Sequence, residues 1–500
     1  MPISFNAIAA DFKLPLYYVE VDPSRAGQEI LDQPALLIGQ MLAAGTATAD
    51  TPVVVGSLAQ AQVLFGVGSQ LERMVAAFFK NNQAAELWCL PVVEPSAGNA
   101  ATGSIALTGP STAAGTLSVY IAGQRVQIAV AAAASATTIG AALATAINAM
   151  TTLPVTAVNT TGTVALTARW KGLTGNDIHI GLNLGGVAAG EALPAGVGAV
   201  ITAMSGGTAA PSLANAIAAL GEDPYEYVAF PFTDSTSLAA IEAEFGFGDA
   251  GRWGWLRQLY GHIFSAARGT YSALVTLGSA RNEAVTSILG VEVATPTPVW
   301  EVAAAYAAQA ARALLNDPAR PLQTLALAGV TPAAKGERFS GLERNTLVKS
   351  GIAVTSIDSD GTVRIAREAT GYLTNPQGVA DGAYDLVTTL ATLARLFRNQ
   401  KRVITSKYGR HKLANDGTSF GAGQAIVTPN IIRAELVAQY QADEFNGLVE
   451  NTDAFAAHLV VERDSGNPNR VNVLYPPDLV NQLRMFAVLA QFRLQYTDAA

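Results

Sequence analysis

Ala35-Leu36-Leu37-Ile38-Gly39, then Pro52-Val53-Val54-Val55, then the run from Leu87 to Val93: the reading of these three short apolar stretches decides the fold. Each is too short to make an ordinary helix, and each lacks the polar alternation of a strand with one wet face. Continuous apolar runs of this length are strands buried on both sides, as in a parallel sheet. Between the second and third runs, Ser57 and Ser69 stand where helix N-caps belong. Leu71, Val75, Phe78 and Phe79 then fall on one helical face. The alternation resumes further along, with a helix over Leu213 to Leu220, a strand at Tyr227-Val228-Ala229-Phe230 and a helix from Trp300 to Leu315. Residues 34–95 and 208–335 are therefore expected to build one α/β core, a mostly parallel sheet with helices on its faces.

The stretch between these halves, residues 96–207, has another character. From 97 to 210 only Arg125, Arg169, Lys171, Asp177 and Glu191 are charged. Runs such as Thr116-Leu117-Ser118-Val119-Tyr120-Ile121 and Val164-Ala165-Leu166-Thr167 are strands bounded by glycine. Ile139, Leu143, Ile147 and Met150 mark one helix. This reads as a β-rich inserted domain. Residues 336–470 are expected to form a further unit. It contains a β-hairpin (Ile352 to Ile357, a turn at Asp358-Ser359-Asp360-Gly361, then Thr362 to Ile365) and a long helix from Tyr384 to about Arg402. Leu386, Leu390, Leu393 and Phe397 are its apolar stripe.

Both ends read as strand arms. In residues 1–33, Leu14, Leu16 and Tyr18 alternate with Pro15, Tyr17 and Val19, so both faces are apolar. In residues 471–500, Phe486, Val488, Ala490, Phe492, Leu494 and Tyr496 occupy every second position, as in an arm or a final edge strand. A two-sided apolar strand at a terminus needs a sheet to join, and that sheet can belong to another chain.

Composition narrows the class. A chain of 500 residues suggests three domains at roughly 150 residues each. Charged residues make up 14%, against about 25% in a typical soluble protein. A folded chain that covers much of its surface with partners fits this better than a disordered one. The net charge of −8 and pI near 5.2 argue against nucleic acid as a partner. The start, Met-Pro-Ile-Ser-Phe-Asn, shows no basic segment followed by an apolar block, so no secretory signal is expected. The longest uncharged stretch, Val126 to Ala168, is broken by Gly, Asn and Pro154, so membrane insertion is not expected.

Enzyme motifs fail in context, and no catalytic, metal or cofactor-binding residue is assigned. Gly246-Phe247-Gly248-Asp249-Ala250-Gly251 matches a dinucleotide fingerprint but follows a predicted helix where a strand is required. Gly417-Thr418-Ser419-Phe420-Gly421 matches a nucleophile elbow, yet Asn415-Asp416 before it reads as loop. His179, His262, His411 and His458 share no metal-ligand spacing. Asp177 and His179 can share a strand face, which alone makes no site. Asp358 and Asp360 are turn residues, and Cys89 is a small buried apolar residue.

One charge cluster stands out. Arg395, Arg398, Lys401, Arg402, Lys407, Arg410 and Lys412 are seven cations with no acid among them. Arg395, Arg398 and Arg402 share a helical face. This is a solvated helix face or a docking strip for an acidic partner.

Longer strings carry a resemblance. They are Ile3-Ser4-Phe5-Asn6-Ala7-Ile8, Pro15-Leu16-Tyr17-Tyr18-Val19-Glu20, Gly278-Ser279-Ala280-Arg281-Asn282 and Asp317-Pro318-Ala319-Arg320-Pro321-Leu322. The strongest is Lys407-Tyr408-Gly409-Arg410-His411-Lys412-Leu413-Ala414-Asn415-Asp416-Gly417, followed by Thr428-Pro429-Asn430-Ile431-Ile432-Arg433 and Asn469-Arg470-Val471-Asn472-Val473. Across almost its full length the chain resembles the tail sheath proteins of Mu-like contractile-tailed bacteriophages. Gly409, where that family often has Pro, and Asn415, where it often has Asp, depart from the pattern.

The resemblance implies a structural protein, not an enzyme, with no cofactor. It implies a helical homo-polymer around a tail tube protein, in contact with baseplate and tail terminator proteins. The place is the virion tail, with assembly in the host cytoplasm. A sheath of a phage-derived bacteriocin or injection system shares the same physics. The seven cations are then the expected tube-facing residues. Leu14, Leu16, Tyr18, Phe486, Val488, Phe492 and Leu494 are the expected inter-subunit strands, and the 96–207 domain is expected on the outer surface.

Overall fold

The computed structural model describes residues 33–494. The chain begins with β1 (Ala35–Gln40), β2 (Val53–Val54), α1 (Leu58–Phe65), α2 (Gln70–Asn81) and β3 (Leu87–Val92). Ser57 and Ser69 cap the two helices, each side-chain oxygen accepting from the backbone N–H three residues on.

The stretch expected as an inserted domain follows, between β3 and the resumption of the core sheet. Its elements are β4 (Ala100–Thr108), β5 (Gly115–Ile121), β6 (Gln124–Val130), α3 (Ala136–Ala149), β7 (Val155–Thr160), β8 (Thr163–Lys171), β9 (Ile180–Leu182) and β10 (Gly198–Ser205). They form a four-stranded sheet ordered β10-β4-β8-β7 and a three-stranded sheet ordered β6-β5-β9, all pairs antiparallel.

The core then resumes with α4 (Ala214–Ala218), β11 (Tyr227–Ala229), α5 (Ser235–Phe245), β12 (His262–Gly269), α6 (Tyr271–Ser279), β13 (Thr286–Glu292), α7 (Val299–Asn316), α8 (Gly341–Lys349), β14 (Ile352–Ile357) and β15 (Val363–Arg367). The last unit holds α9 (Val387–Tyr408), β16 (Lys412–Leu413), β17 (Ile426–Val427), α10 (Pro429–Phe445), α11 (Thr452–His458), β18 (Val460–Arg463) and β19 (Val471–Leu474).

The core sheet has eight strands in the order β15-β14-β13-β12-β11-β1-β3-β2. From β14 to β3 every pair is parallel, and only the two edge strands run antiparallel. All six residues of β1 are buried, and they face opposite ways. Ala35 and Leu37 join the apolar cluster under α2 and α7, while Leu36 and Ile38 join the one under α5, α6 and α8. The helix α7 lies flat on the sheet because its inner residues are small: Ala303, Ala304, Ala307 and Ala308 are fully buried.

Three expected boundaries move. The unit expected over 336–470 is divided, because the hairpin β14–β15 extends the core sheet by pairing Ile288 with Ile352 and Leu289 with Ala353. The hairpin is real, but its apolar face has the sheet edge beside it and packs there, so the C-terminal unit begins near α9. The helix predicted to end near Arg402 runs to Tyr408, since no breaker intervenes before Gly409. The segment 471–500 also does not begin as an arm: β19 pairs antiparallel with β18.

The inserted domain and the C-terminal unit sit at opposite ends of the parallel strands. At the carboxyl end of β1, Gln40 donates to the Lys171 carbonyl at 2.9 Å and accepts from the Thr174 hydroxyl at 3.0 Å. There the insert's Trp170 meets Trp300 of α7 edge to face, ring centroids 5.6 Å apart. Carboxyl ends of strands are where open α/β sheets build ligand crevices; here a packed domain covers that end of β1. Near the amino ends of β11 and β12, Arg398 of α9 pairs with Glu226 and donates to the Leu259 carbonyl.

Candidate interaction surfaces

The seven cations do not form one solvated strip. In α9, Leu390, Ala394 and Leu396 are buried, which turns Arg395 and Arg398 along the protein surface. Arg395 donates to the Leu315 carbonyl at 2.7 Å. Arg398 pairs with Glu226, donates to the Leu259 carbonyl at 3.1 Å and lies 5.1 Å over the Tyr260 ring. Both partners of the Arg398–Glu226 pair are largely buried. Glu226 and Tyr260 stand far away in sequence, so periodicity along the helix could not reveal them.

Lys401, Arg402, Lys407, Arg410 and Lys412 are exposed, at the free end of α9 and in the loop beyond it. Lys407 lies 2.5 Å from Glu435 of α10, and its ammonium holds that carboxyl below its ordinary value. Tyr408 donates to the same carboxylate at 2.9 Å. These bonds join the end of α9 to α10, and Lys412 beyond it donates to Gln424 at 3.2 Å.

Two cavities flank α9. An apolar groove of about 710 Å³ runs between the core and the C-terminal unit, walled by Trp253, Trp255, Tyr260, Phe397, Ile432 and Val473. Its lining contains one charged side chain, Lys401. A polar cavity of about 570 Å³ on the other side is lined by Arg395, Asn399, Arg402 and Asp443 among others. Burial pushes the Asp443 carboxyl above its ordinary value, against bonds from Gln439 and Asn399.

The C-terminal segment crosses back over the core after β19. Gln323 donates to the Leu483 carbonyl at 3.2 Å, and Arg484 grips Glu368. Beyond that, Phe486, Val488, Phe492 and Leu494 are 83%, 70%, 85% and 96% exposed, and no strand of the described chain pairs with them. The hairpin β18–β19 is a two-stranded sheet by itself. Leu14, Leu16 and Tyr18 lie outside the described residues.

The enzyme-like motifs fall as their context predicts. Gly246 closes helix α5, so a helix and not a strand precedes that glycine run. Ser419 lies in an exposed loop with no helix after it until Pro429. Asp177 and His179 lie at the junction of insert and core beside Arg268. Burial raises the Asp177 carboxyl to about 6 and lowers the His179 imidazole to about 4. Cys89 is buried in β3 and its thiol is pushed up by that burial. Among the described residues, no group of three or more His, Cys, Asp or Glu is placed to hold a metal, and no helix is long and apolar enough to cross a membrane.

Comparison with known proteins adds three findings. The family profile of the phage tail sheath protein central domain matches residues 206–370, and that of the phage tail sheath C-terminal domain matches residues 379–493. The chain is 42% identical over 496 residues to the Mu-like prophage FluMu tail sheath protein of Haemophilus influenzae, covering 99% of this chain and 100% of that protein. Among solved structures it is similar to the sheath tail protein Lin1278 from Listeria innocua, at 11% identity and a TM-score of 0.46, over 90% of this chain and 92% of that one. It is also similar to the helical sheath of the anti-feeding prophage in its contracted state, at 11% identity and a TM-score of 0.47, over 97% of this chain and 100% of that one.

Proposed function

We propose, since the chain belongs to the phage tail sheath protein family and is a structural subunit of a contractile sheath, that its copies polymerise helically around a tail tube, joined by their terminal segments. Contraction of that lattice drives the tube through the host envelope. The observation that carries this reading is the C-terminal segment. A soluble monomer gains nothing from leaving Phe486, Leu489 and Phe492 each more than four-fifths exposed; a run of this kind is covered in the assembled state. The free edges of β18–β19 offer backbone groups that a strand from a neighbour satisfies. A head-to-tail contact repeated without closure gives a helical filament.

The tube-facing surface is the free end of α9 with the loop after it. Lys401, Arg402, Lys407, Arg410 and Lys412 supply the positive field, while Arg395 and Arg398 fix the helix to the core. An acidic tube surface is the matching partner, and its contacts weaken with salt because exposed charges are screened over about 8–10 Å at physiological ionic strength. Baseplate and terminator proteins bound the polymer at its ends. The inserted domain, docked at the carboxyl end of β1 and away from the C-terminal unit, faces outward from the tube.

The test is electron microscopy of the chain co-expressed with its tube protein, intact and truncated after Arg484. Sheathed tubes from the intact chain and bare tubes from the truncated one are expected. Equal sheathing by both would refute the role of the segment.

A further inference from the structure

A chain of contacts links the first described residues to the apolar groove. Gln33 accepts a hydrogen bond from the Tyr227 hydroxyl at 3.3 Å, and the Pro34 carbonyl accepts from the Glu226 N–H at 3.1 Å. Glu226 pairs with Arg398, which lies over Tyr260. Tyr260 and Phe397, ring centroids 6.1 Å apart, are groove wall. The described chain therefore starts at Gln33 and Pro34, linked through Glu226 and Arg398 to Tyr260 in the wall of a groove lined by aromatic and aliphatic side chains.

We infer that this groove is the docking site for Leu14–Val19 of the same chain, so that the unassembled subunit caps itself with its own N-terminal segment. Three features favour this occupant. Thirteen residues, 20–32, separate Val19 from Gln33; fully extended they span about 43 Å at roughly 3.3 Å each, enough to turn back into the groove. The six residues Leu14-Pro15-Leu16-Tyr17-Tyr18-Val19 are apolar or aromatic throughout, and the groove walls are of the same kind. Glu20 and Asp22 follow directly, and the groove's one charged lining residue is a cation, Lys401.

This inference rests on the reading that the terminal segments join neighbours, and it adds what holds the N-terminal one before it is exchanged. A tethered segment competes at an effective concentration in the millimolar range for a short linker. Free subunits therefore keep the segment docked, and a growing lattice displaces it only where it offers a better site.

The test uses the full-length chain carrying Tyr18→Cys with Gln258→Cys, Gln258 being an exposed residue of the groove lining. Cys89 is buried and stays out of the reaction. Dilute monomer is oxidised, run on a non-reducing gel and mapped by peptide mass. An intrachain 18–258 bond at least tenfold above that of a control pair, Tyr18→Cys with Ser272→Cys beyond the far end of β12, is expected. A dimer band would overturn the inference in favour of a second copy as donor, and equal yields in both pairs would overturn it outright. A photo-crosslinking residue at Tyr18 in the otherwise natural chain gives the same readout should the cysteine pair misfold. Both readouts are taken on monomer, so they stand apart from tube sheathing: loss of sheathing with the intrachain bond intact is a failure of the assembly reading alone.

Discussion

Arg484 and Glu368 form a bidentate ion pair, with Nη1 to Oε2 at 3.0 Å and Nη2 to Oε1 at 2.5 Å. The Glu368 side chain is fully buried, and Oε1 also accepts from the Leu322 N–H at 3.3 Å. The pair ties the base of the C-terminal segment to the end of the hairpin β14–β15.

Removing the cation strands a buried carboxylate. Arg484→Ala should destabilise the subunit by about 3–5 kcal/mol, most of it the unpaired charge. Arg484→Lys should fall between, because an ammonium cannot match the two-pronged geometry. Replacing both partners, Arg484→Met with Glu368→Gln, should recover much of the loss. Urea denaturation checks all three, and a loss below about 1 kcal/mol for Arg484→Ala would show that the pair does not anchor the segment.

The cations of α9 should separate into two classes. Arg398→Ala empties a buried partner for Glu226 and should cost roughly 2–4 kcal/mol of stability. Lys401→Ala touches an exposed side chain and should stay within about 0.5 kcal/mol. In co-sedimentation with tube protein the order should invert. Lys401→Gln with Lys407→Gln and Lys412→Gln should weaken binding at low salt and flatten its salt dependence while leaving the melting curve nearly in place. A triple variant that binds as tightly as the parent would remove these residues from the tube surface.

How far the sequence reaches is clear from these same residues. The α/β core was legible because Ala35–Gln40 and Leu87–Val92 are continuous apolar runs, and such runs have few other places to go. The serine caps at 57 and 69 were legible because capping is local. Arg398 was misleading because helical periodicity says which residues share a face and nothing about Glu226, 172 positions away. The domain boundary at 335 failed for a related reason. A hairpin carries its own local signature, whereas its pairing with β13 depends on an edge created by strands elsewhere. The groove beside Tyr260 has no sequence signal at all, since its walls come from four separated stretches of chain.

His262 makes the pH dependence of stability predictable in sign. It opens β12, is 6% exposed, and neither ring nitrogen has a hydrogen-bond partner. Burial pushes its imidazole from 6.5 down to about 3. The unfolded chain therefore binds a proton between those values that the folded chain refuses, so stability is full above about 6.5 and falls as pH drops toward 3. Between pH 7 and pH 5 this one group should remove on the order of 1–2 kcal/mol. His262→Phe, packed as the histidine already is against Phe264, should abolish that share of the slope. Thermal melts of both chains at pH 5 and pH 7 measure it, and equal slopes would show that His262 carries a proton in the folded state.

The inserted domain should be locked to the core by one side chain above all. Arg73 of α2 donates from Nε to Glu301 of α7 at 2.6 Å, from Nη1 to the Thr152 carbonyl at 2.9 Å and from Nη2 to the Ala122 carbonyl at 3.0 Å. Its side chain is 5% exposed and that of Glu301 is 16% exposed. Burial pushes the Glu301 carboxyl up and Arg73 opposes that rise. Arg73→Met keeps most of the volume and removes every bond. It should cost about 3–5 kcal/mol and should raise hydrogen exchange selectively around Ala122 and Thr152, with the core strands β12 and β13 unchanged until global unfolding. Uniform acceleration across insert and core would mean that the two form one cooperative unit held by Trp170 against Trp300, and that Arg73 adds only its share of the common stability.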